Sequence, residues 1–279
     1  MPSKGKVSLK YSIPARPDTL VKLQKIMQDD DPDIDLIITT LKQDAGLYSI
    51  ILATVNSPCF ALKKPVTSIS NAIVYLGLGR LFSLVKLSIL KSSLSKGQKL
   101  DRFWDTASEV AGISHSLIKN HTNLDPDSGY SLGMLHDCGI PILMQASSDY
   151  LELLQQAHGK HPKYLIEQEE SIYGVNHYTV GGKLANNWKM PAEVYKAILL
   201  QAKYPEVLIK YRSKADDTLM HLAILSIAKD ISKTYRHYWR LEKDEELNPE
   251  LLTSLEYVGI CDYDYLDMKE EYMSSLNEE

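Results

Sequence analysis

Cysteine is scarce in this 279-residue chain, and Cys59, Cys138 and Cys261 lie far apart with no CxxC pair among them. That spacing excludes a zinc knuckle, a thioredoxin-like redox motif and a disulfide framework, and leaves buried or incidental thiols. No apolar run approaches the roughly 20 residues of a membrane span, so insertion as a helix is not expected. Positive charge is not in excess either. The 31 Lys and Arg face 36 Asp and Glu, and the net charge of -5 removes the overall positive field on which non-specific nucleic-acid binding usually relies. The start, Met1-Pro2-Ser3-Lys4-Gly5-Lys6, has cations with no apolar block behind them, unlike a secretory signal. The expected compartment is the cytoplasm. Internal repeats and low-complexity linkers are missing as well.

What the chain has in quantity is helical periodicity. With 44% hydrophobic and 24% charged residues it is ordinary for a globular protein that builds a sizeable core. Apolar residues recur at helical spacing in Ile34, Ile37, Ile38 and Leu41, in Leu47, Ile50, Ile51 and Val55, and in Ile69, Ala72, Ile73 and Leu76. Asp31-Pro32 and Ser68 look like helix entries, Pro162, Pro191 and Pro249 fit first helical turns, and Gly77 and Gly174 fit helix ends. The fold class is therefore all-α. Only Val85 to Leu90 is short and apolar enough to read as either helix or strand. The weakest boundaries are Ser93 to Leu100, rich in Ser, Lys and Gly, and the stretch around Lys203 to Ser213.

The residues with the strongest chemical signal are His136 and Asp137, set in Leu132-Gly133-Met134-Leu135-His136-Asp137-Cys138-Gly139. An imidazole and a carboxylate among buried-type residues are costly to hide unpaired. They are ligands, an acid/base pair or a hydrogen-bonded core pair. Gly139 and Pro141 should bend or end the helix that carries them, since proline removes a backbone donor and clashes with the preceding turn. Such a break predicts a dyad exposed at a helix end. Two adjacent residues leave both a metal or phosphate site and a hydrogen-bonded core pair open.

The order of further signals resembles the HDOD family, the HD-related output domains of bacterial signalling. The resemblance runs through Ile13-Pro14-Ala15-Arg16-Pro17, the acidic run from Asp29 to Asp33, Gln43-Asp44-Ala45-Gly46-Leu47, Leu52-Ala53-Thr54-Val55-Asn56-Ser57 and Ile69 to Leu78. It continues through Phe103-Trp104, Gly133 to Gly139, Tyr173-Gly174-Val175-Asn176-His177 and Trp188 to Glu193. What it implies is an HDOD-type helical bundle packed on an HD-like helical core. Residues 1–12 are then an N-terminal tail, 13–205 the HDOD domain, divided into a bundle (13–100) and a core (101–205), and 206–279 a C-terminal helical extension.

The resemblance also implies a test of the site. HD phosphohydrolases hold a metal with a first His, the His-Asp dyad and a later Asp, with extra His residues in two-metal versions; such a metal lowers the pKa of a water that attacks phosphorus. In this chain the first His is replaced by Thr106, and Gln201 and Ala202 stand where the family often carries a His-His pair. The final Asp would fall near Ile224, where there is no acid. His136, Asp137 and His177 remain. His115 is a poor replacement for the first ligand, because nine residues along a helix advance it by roughly 13 Å. Glu109, on the face of Thr106, and His221, on the face of Ile224, are candidate substitutes. A missing ligand usually removes metal affinity outright, so no metal, no cofactor and no catalytic residue are expected. The expected function is signalling or regulation through an unidentified protein partner. The alternative is a divergent metal-dependent HD-type phosphohydrolase acting on a nucleotide or cyclic dinucleotide.

Three other stretches bear on partners. Asn56-Ser57-Pro58 has the residues of a helix end and turn, and reads as a structural cap rather than a ligand site. The acidic run Asp29 to Asp35 reads as a solvated helix start. Lys229 to Arg240 interleaves aromatics and cations, as single-strand nucleic-acid binders do, but its residues spread around a helix and Asp244-Glu245-Glu246 follows. Nucleic acid is therefore only a second alternative. The tail from Pro249 carries Tyr257, Tyr263, Tyr265 and Tyr272, rings suited either to a partner surface or to capping the domain's own core.

Overall fold

A computed structural model describes residues 9–56, 62, 64–241 and 247–275, and every regular element among them is a helix. The chain divides into two compact units.

Residues 14–98 form the first unit. Its helices are α1 (Asp18–Ile26), α2 (Ile34–Lys42), α3 (Ala45–Val55), α4 (Ile69–Leu76) and α5 (Leu78–Leu94). Polar residues cap α2, α3 and α4, with the α2 entry at Asp33 rather than at Asp31-Pro32. Asp33 accepts from the Leu36 N–H, Asp44 from that of Leu47 and Ser68 from that of Asn71, so each satisfies a backbone donor that the first helical turn leaves free. The acidic run thus ends in the α2 cap. Gly77 ends α4 with φ of 78°, a conformation costly to any residue with a Cβ. Asn56 does more than end α3. Its side-chain amide donates to Leu52 O and Val66 O at 2.8 Å and accepts from Val66 N at 2.7 Å, tying the helix end to the chain ahead of α4. Ser57, Pro58 and Cys59 lie outside the described residues. The ambiguous stretch Val85 to Leu90 is helical. Six consecutive buried positions there mask the period that would have shown it.

The second unit runs from Lys99 onward and takes in the residues before Pro14. Its helices are α6 (Asp101–His121), α7 (Pro126–Leu135), α8 (Gly139–Ala146), α9 (Tyr150–Ala157), α10 (Pro162–Tyr173), α11 (His177–Asn187), α12 (Ala192–Leu200), α13 (Glu206–Lys210), α14 (Asp217–Ile231), α15 (Lys233–Trp239), α16 (Pro249–Val258) and α17 (Asp262–Ser275). Pro162 and Pro249 occupy first turns; Pro191 precedes its helix by one residue. Residues 206–275, expected as an extension, belong to this same unit, and α14 packs against α6, α7 and α12.

Two close approaches set the geometry of this core. A Cβ on Gly133 would lie 2.4 Å from Ala111 Cα, so α7 rests on α6 with no side chain between them. A Cβ on Gly139 would lie 1.9 Å from the His177 carbonyl oxygen, so the first residue of α8 touches the first residue of α11. The second approach brings the neighbourhood of Asp137 to that of His177.

Candidate functional site

His136 and Asp137 occupy the break between α7 and α8, where the sequence places them. The break does not expose them: they keep 2% and 5% of their surface. The expectation of an exposed dyad fails because α11, α14 and α15 supply neighbours on the open side. The partner list shows how they are held. His136 Nδ1 lies 2.6 Å from Gly133 O, an oxygen that only accepts, so Nδ1 carries the proton. Its Nε2 then faces Asp137 Oδ2 at 3.2 Å without a hydrogen bond of proper geometry.

His177 reaches the same carboxylate from α11. Asn176 caps that helix by accepting from Thr179 N, and this leaves the His177 N–H free to donate to Glu169 Oε2 at 3.0 Å. His177 Nδ1 contacts Glu169 at 2.7 Å, and Nε2 lies 3.9 Å from Asp137 Oδ1. Glu169 is wholly buried and also accepts from the Tyr150 hydroxyl, so all three of its donors come from within the fold. Burial, with Glu169 alongside, pushes the Tyr150 hydroxyl well above the ordinary phenol range and keeps it a donor.

The fourth participant is Lys229, from α14. Its Nζ lies 3.8 Å from Asp137 Oδ1 and donates to Gln201 Oε1 at 2.5 Å. Gln201 in turn donates to the His136 carbonyl at 2.8 Å, so the side chain at the family's His-His position links the dyad to the lysine. The rings of Tyr178 and Tyr235 lie 5.5 and 5.3 Å from Nζ, within cation–π range. Burial by itself would raise the Asp137 carboxyl. Its neighbours, His136 first and then Lys229 and His177, overcome that and hold it well below the usual carboxylate range. Burial lowers the Lys229 ammonium, and Asp137 opposes the shift.

The candidate substitutes serve elsewhere. Glu109 Oε2 accepts from Ser232 Oγ at 2.6 Å and from the N–H and hydroxyl of Thr234, capping α15. His221 spends both ring nitrogens, one on Asp217 O and one on Ser128 Oγ, each at 2.6 Å. Thr106 donates to Arg102 O, His115 pairs with Asp127, and Ile224 is fully buried. Among the described residues no three His, Cys, Asp or Glu side chains gather to hold a metal.

The metal that an HD-like core implies is therefore tested by its donors. His136 Nε2 and Asp137 Oδ1 are buried polar atoms without hydrogen bonds, as ligands would be. Yet the ammonium of Lys229 already stands against Asp137 Oδ1, and like charge at about 4 Å costs about 4 kcal/mol per unit charge at an effective dielectric of about 20. The residues present do not fit a metal.

The remaining stretches turn mostly inward. Lys229 and Tyr235 belong to the site, while Tyr238 and Trp239 pack on His158. Tyr265 is buried, with its hydroxyl and Lys269 both on Asp230, and Tyr257 donates to Lys214 O at 2.6 Å, whereas Tyr263 is 82% exposed. Cys138 is buried, and burial pushes its thiol far above the ordinary value; Cys261 is exposed. No single helix among the described residues is long and apolar enough to cross a membrane.

An all-helical core with a His-Asp pair at a helix break, met by a histidine at the start of a later helix, is of the HD-like type. The HDOD domain family model matches residues 13–204, and the chain belongs to that family. A curated Treponema pallidum (strain Nichols) protein without a characterised role is 25% identical over 249 residues, which is 84% of this chain and 47% of the relative. The chain thus spans about half the length of that relative. The fold recurs in a Shewanella amazonensis SB2B protein provisionally named a phosphohydrolase, with TM-score 0.69 and 23% identity over 94% of this chain and 90% of the other. It recurs again in an HDOD domain protein of unknown function from Geobacter sulfurreducens, with TM-score 0.68 and 22% identity over 96% and 91%.

Proposed function

We propose that the chain is a non-catalytic signalling or regulatory protein that acts in the cytoplasm by binding another protein. One observation carries this reading: Lys229 sets its own positive charge against the carboxylate that a catalytic metal would need. Without a metal-bound water the site has no nucleophile generator, and its tyrosines are held protonated, Tyr178 and Tyr235 by burial and by the Asp137 charge. What remains is a buried charged core, with a cavity lined by His177, Tyr178, Tyr235 and Trp239 beside it, suited to recognition rather than chemistry.

A phosphohydrolase is the second reading, and it draws on His136, whose Nδ1 is fixed on a backbone carbonyl while Nε2 lacks a hydrogen bond, the arrangement of a ligating imidazole. One assay separates the two. The purified chain, supplied with manganese or magnesium, is offered bis(p-nitrophenyl) phosphate and a cyclic dinucleotide. No turnover above background is expected, together with capture of a defined protein from native extract. Metal-dependent turnover that disappears in Asp137→Ala overturns the reading.

A further inference from the structure

We infer that the cage around Asp137 is a cation site loaded from within: the Lys229 ammonium is its resident ion, and shortening that side chain opens a cavity that takes a small primary alkylammonium. The inference rests on the reading above and names what the site recognises. Four groups from four elements surround Nζ: the Gln201 carbonyl oxygen just after α12, the Asp137 carboxylate between α7 and α8, the Tyr178 ring on α11 and the Tyr235 ring on α15. An amide oxygen, a carboxylate and two ring faces suit an ammonium ion, which takes hydrogen bonds and ring faces without demanding short bonds. A divalent transition metal asks instead for nitrogen and oxygen donors at about 2.0–2.2 Å in a closed polyhedron. His136 Nε2 and Asp137 Oδ2, 3.2 Å apart, could face one such ion, but the Lys229 ammonium already stands 3.8 Å from Asp137 Oδ1.

The cage is also aimed. Gln201 could present either end of its amide, but its NH2 is spent on the His136 carbonyl, and this fixes the oxygen toward Lys229. The next residue, Asp230, receives the Tyr265 hydroxyl and Lys269 of α17. Adjacent residues of α14 therefore anchor the core on one side and α17 on the other. A core assembled this way does not wait for a metal, so a divalent cation is not its input.

Thermal unfolding of the whole chain tests this with three proteins: wild type, Lys229→Met and Lys229→Ala. Lys229→Met keeps the apolar stem and removes the charge, and its Tm should fall by about 10 °C because a buried carboxylate loses its counter-ion. Lys229→Ala removes the atoms of propylammonium. Added propylammonium should raise its Tm along a saturating curve, whereas sodium chloride at equal ionic strength should not, and Lys229→Met should gain nothing because its cavity is full. A Lys229→Met protein with the wild-type Tm overturns the inference, and so does propylammonium acting equally on all three proteins. If Lys229→Ala fails to fold, the comparison of Lys229→Met with wild type decides alone. Stoichiometric manganese binding by wild type in equilibrium dialysis also overturns it. Manganese bound without hydrolysis would sink this inference and leave the proposed function standing; hydrolysis without any metal, alongside a destabilised Lys229→Met, would do the reverse.

Discussion

Asp137 and Glu109 are two acids in one helical core that meet opposite kinds of partner. Asp137 sits between α7 and α8 and faces the Lys229 ammonium and the imidazoles of His136 and His177 from three directions. Glu109 projects from the middle of α6 to the start of α15, where a backbone N–H and two hydroxyl groups surround it. The first arrangement concentrates formal charge with little solvent; the second only satisfies the open end of a helix. Sharing a residue class with a ligand does not make Glu109 a ligand: its Oε2 is committed to the start of α15, and although its buried Oε1 lacks a hydrogen bond, no three His, Cys, Asp or Glu side chains gather to hold a metal among the described residues.

The sharpest way to break the comparison is to remove each acid in turn. Asp137→Ala leaves Lys229 and two imidazoles facing one another in a buried space, and loss of one partner of a buried ion pair typically costs about 3–5 kcal/mol. Urea denaturation should show that loss as a lowered midpoint with an unchanged slope. A loss below about 1 kcal/mol would mean that the charges around Asp137 are solvated, contrary to their burial.

How far the sequence reveals this site differs residue by residue. His136, Asp137 and His177 are legible because the motif around each survives. In the sequence Lys229 stands within a basic aromatic stretch, yet it shares a stripe with Leu222 and Leu225, both buried, and that spacing is the signal of its burial. Glu169 lies on the stripe of Leu165 and Tyr173 for the same reason. Their partners could not be read, since pairing Lys229 with Asp137 depends on how α14 crosses the α7–α8 break, which no local pattern encodes. The dyad is buried where the sequence predicts exposure, because a helix break exposes its residues only where nothing packs over it. Helix existence and caps, by contrast, are local, and Ser68, Pro162 and Gly174 show them directly.

Acid sharpens the comparison further. The Asp137 carboxyl titrates below its unfolded value, because neighbouring His136, Lys229 and His177 outweigh its burial. Its contribution to stability is then complete above the unfolded carboxylate pKa of about 4 and is lost as pH falls below that, by at most about 1.4 kcal/mol per pH unit. Asp137→Asn lacks this dependence. The stability gap between wild type and Asp137→Asn should therefore narrow between about pH 4 and pH 3, below the range in which the neighbouring imidazoles ordinarily titrate. A gap that widens on acidification would reverse the sign and show that burial, rather than the cations, governs this carboxyl.

The smallest effect belongs to Glu109. Glu109→Ala removes a cap and one favourable charge at the start of α15, effects worth about 1 kcal/mol each at most. The Ser232 hydroxyl remains as a second cap, since it accepts from Tyr235 N at 3.1 Å. The loss should accordingly be about 1–2 kcal/mol and local. Amide hydrogen exchange should speed up in the first turn of α15, at Thr234 above all, whose N–H now donates to Glu109. The amide of His177 should not respond, because its acceptor is Glu169 on α10. In Asp137→Ala the order reverses, with exchange at the α7–α8 break and the start of α11 rising more than at α15. If both variants loosen the same amides by the same factor, the two acids belong to one network, and the distinction between a charge cage and a helix cap does not hold in this core.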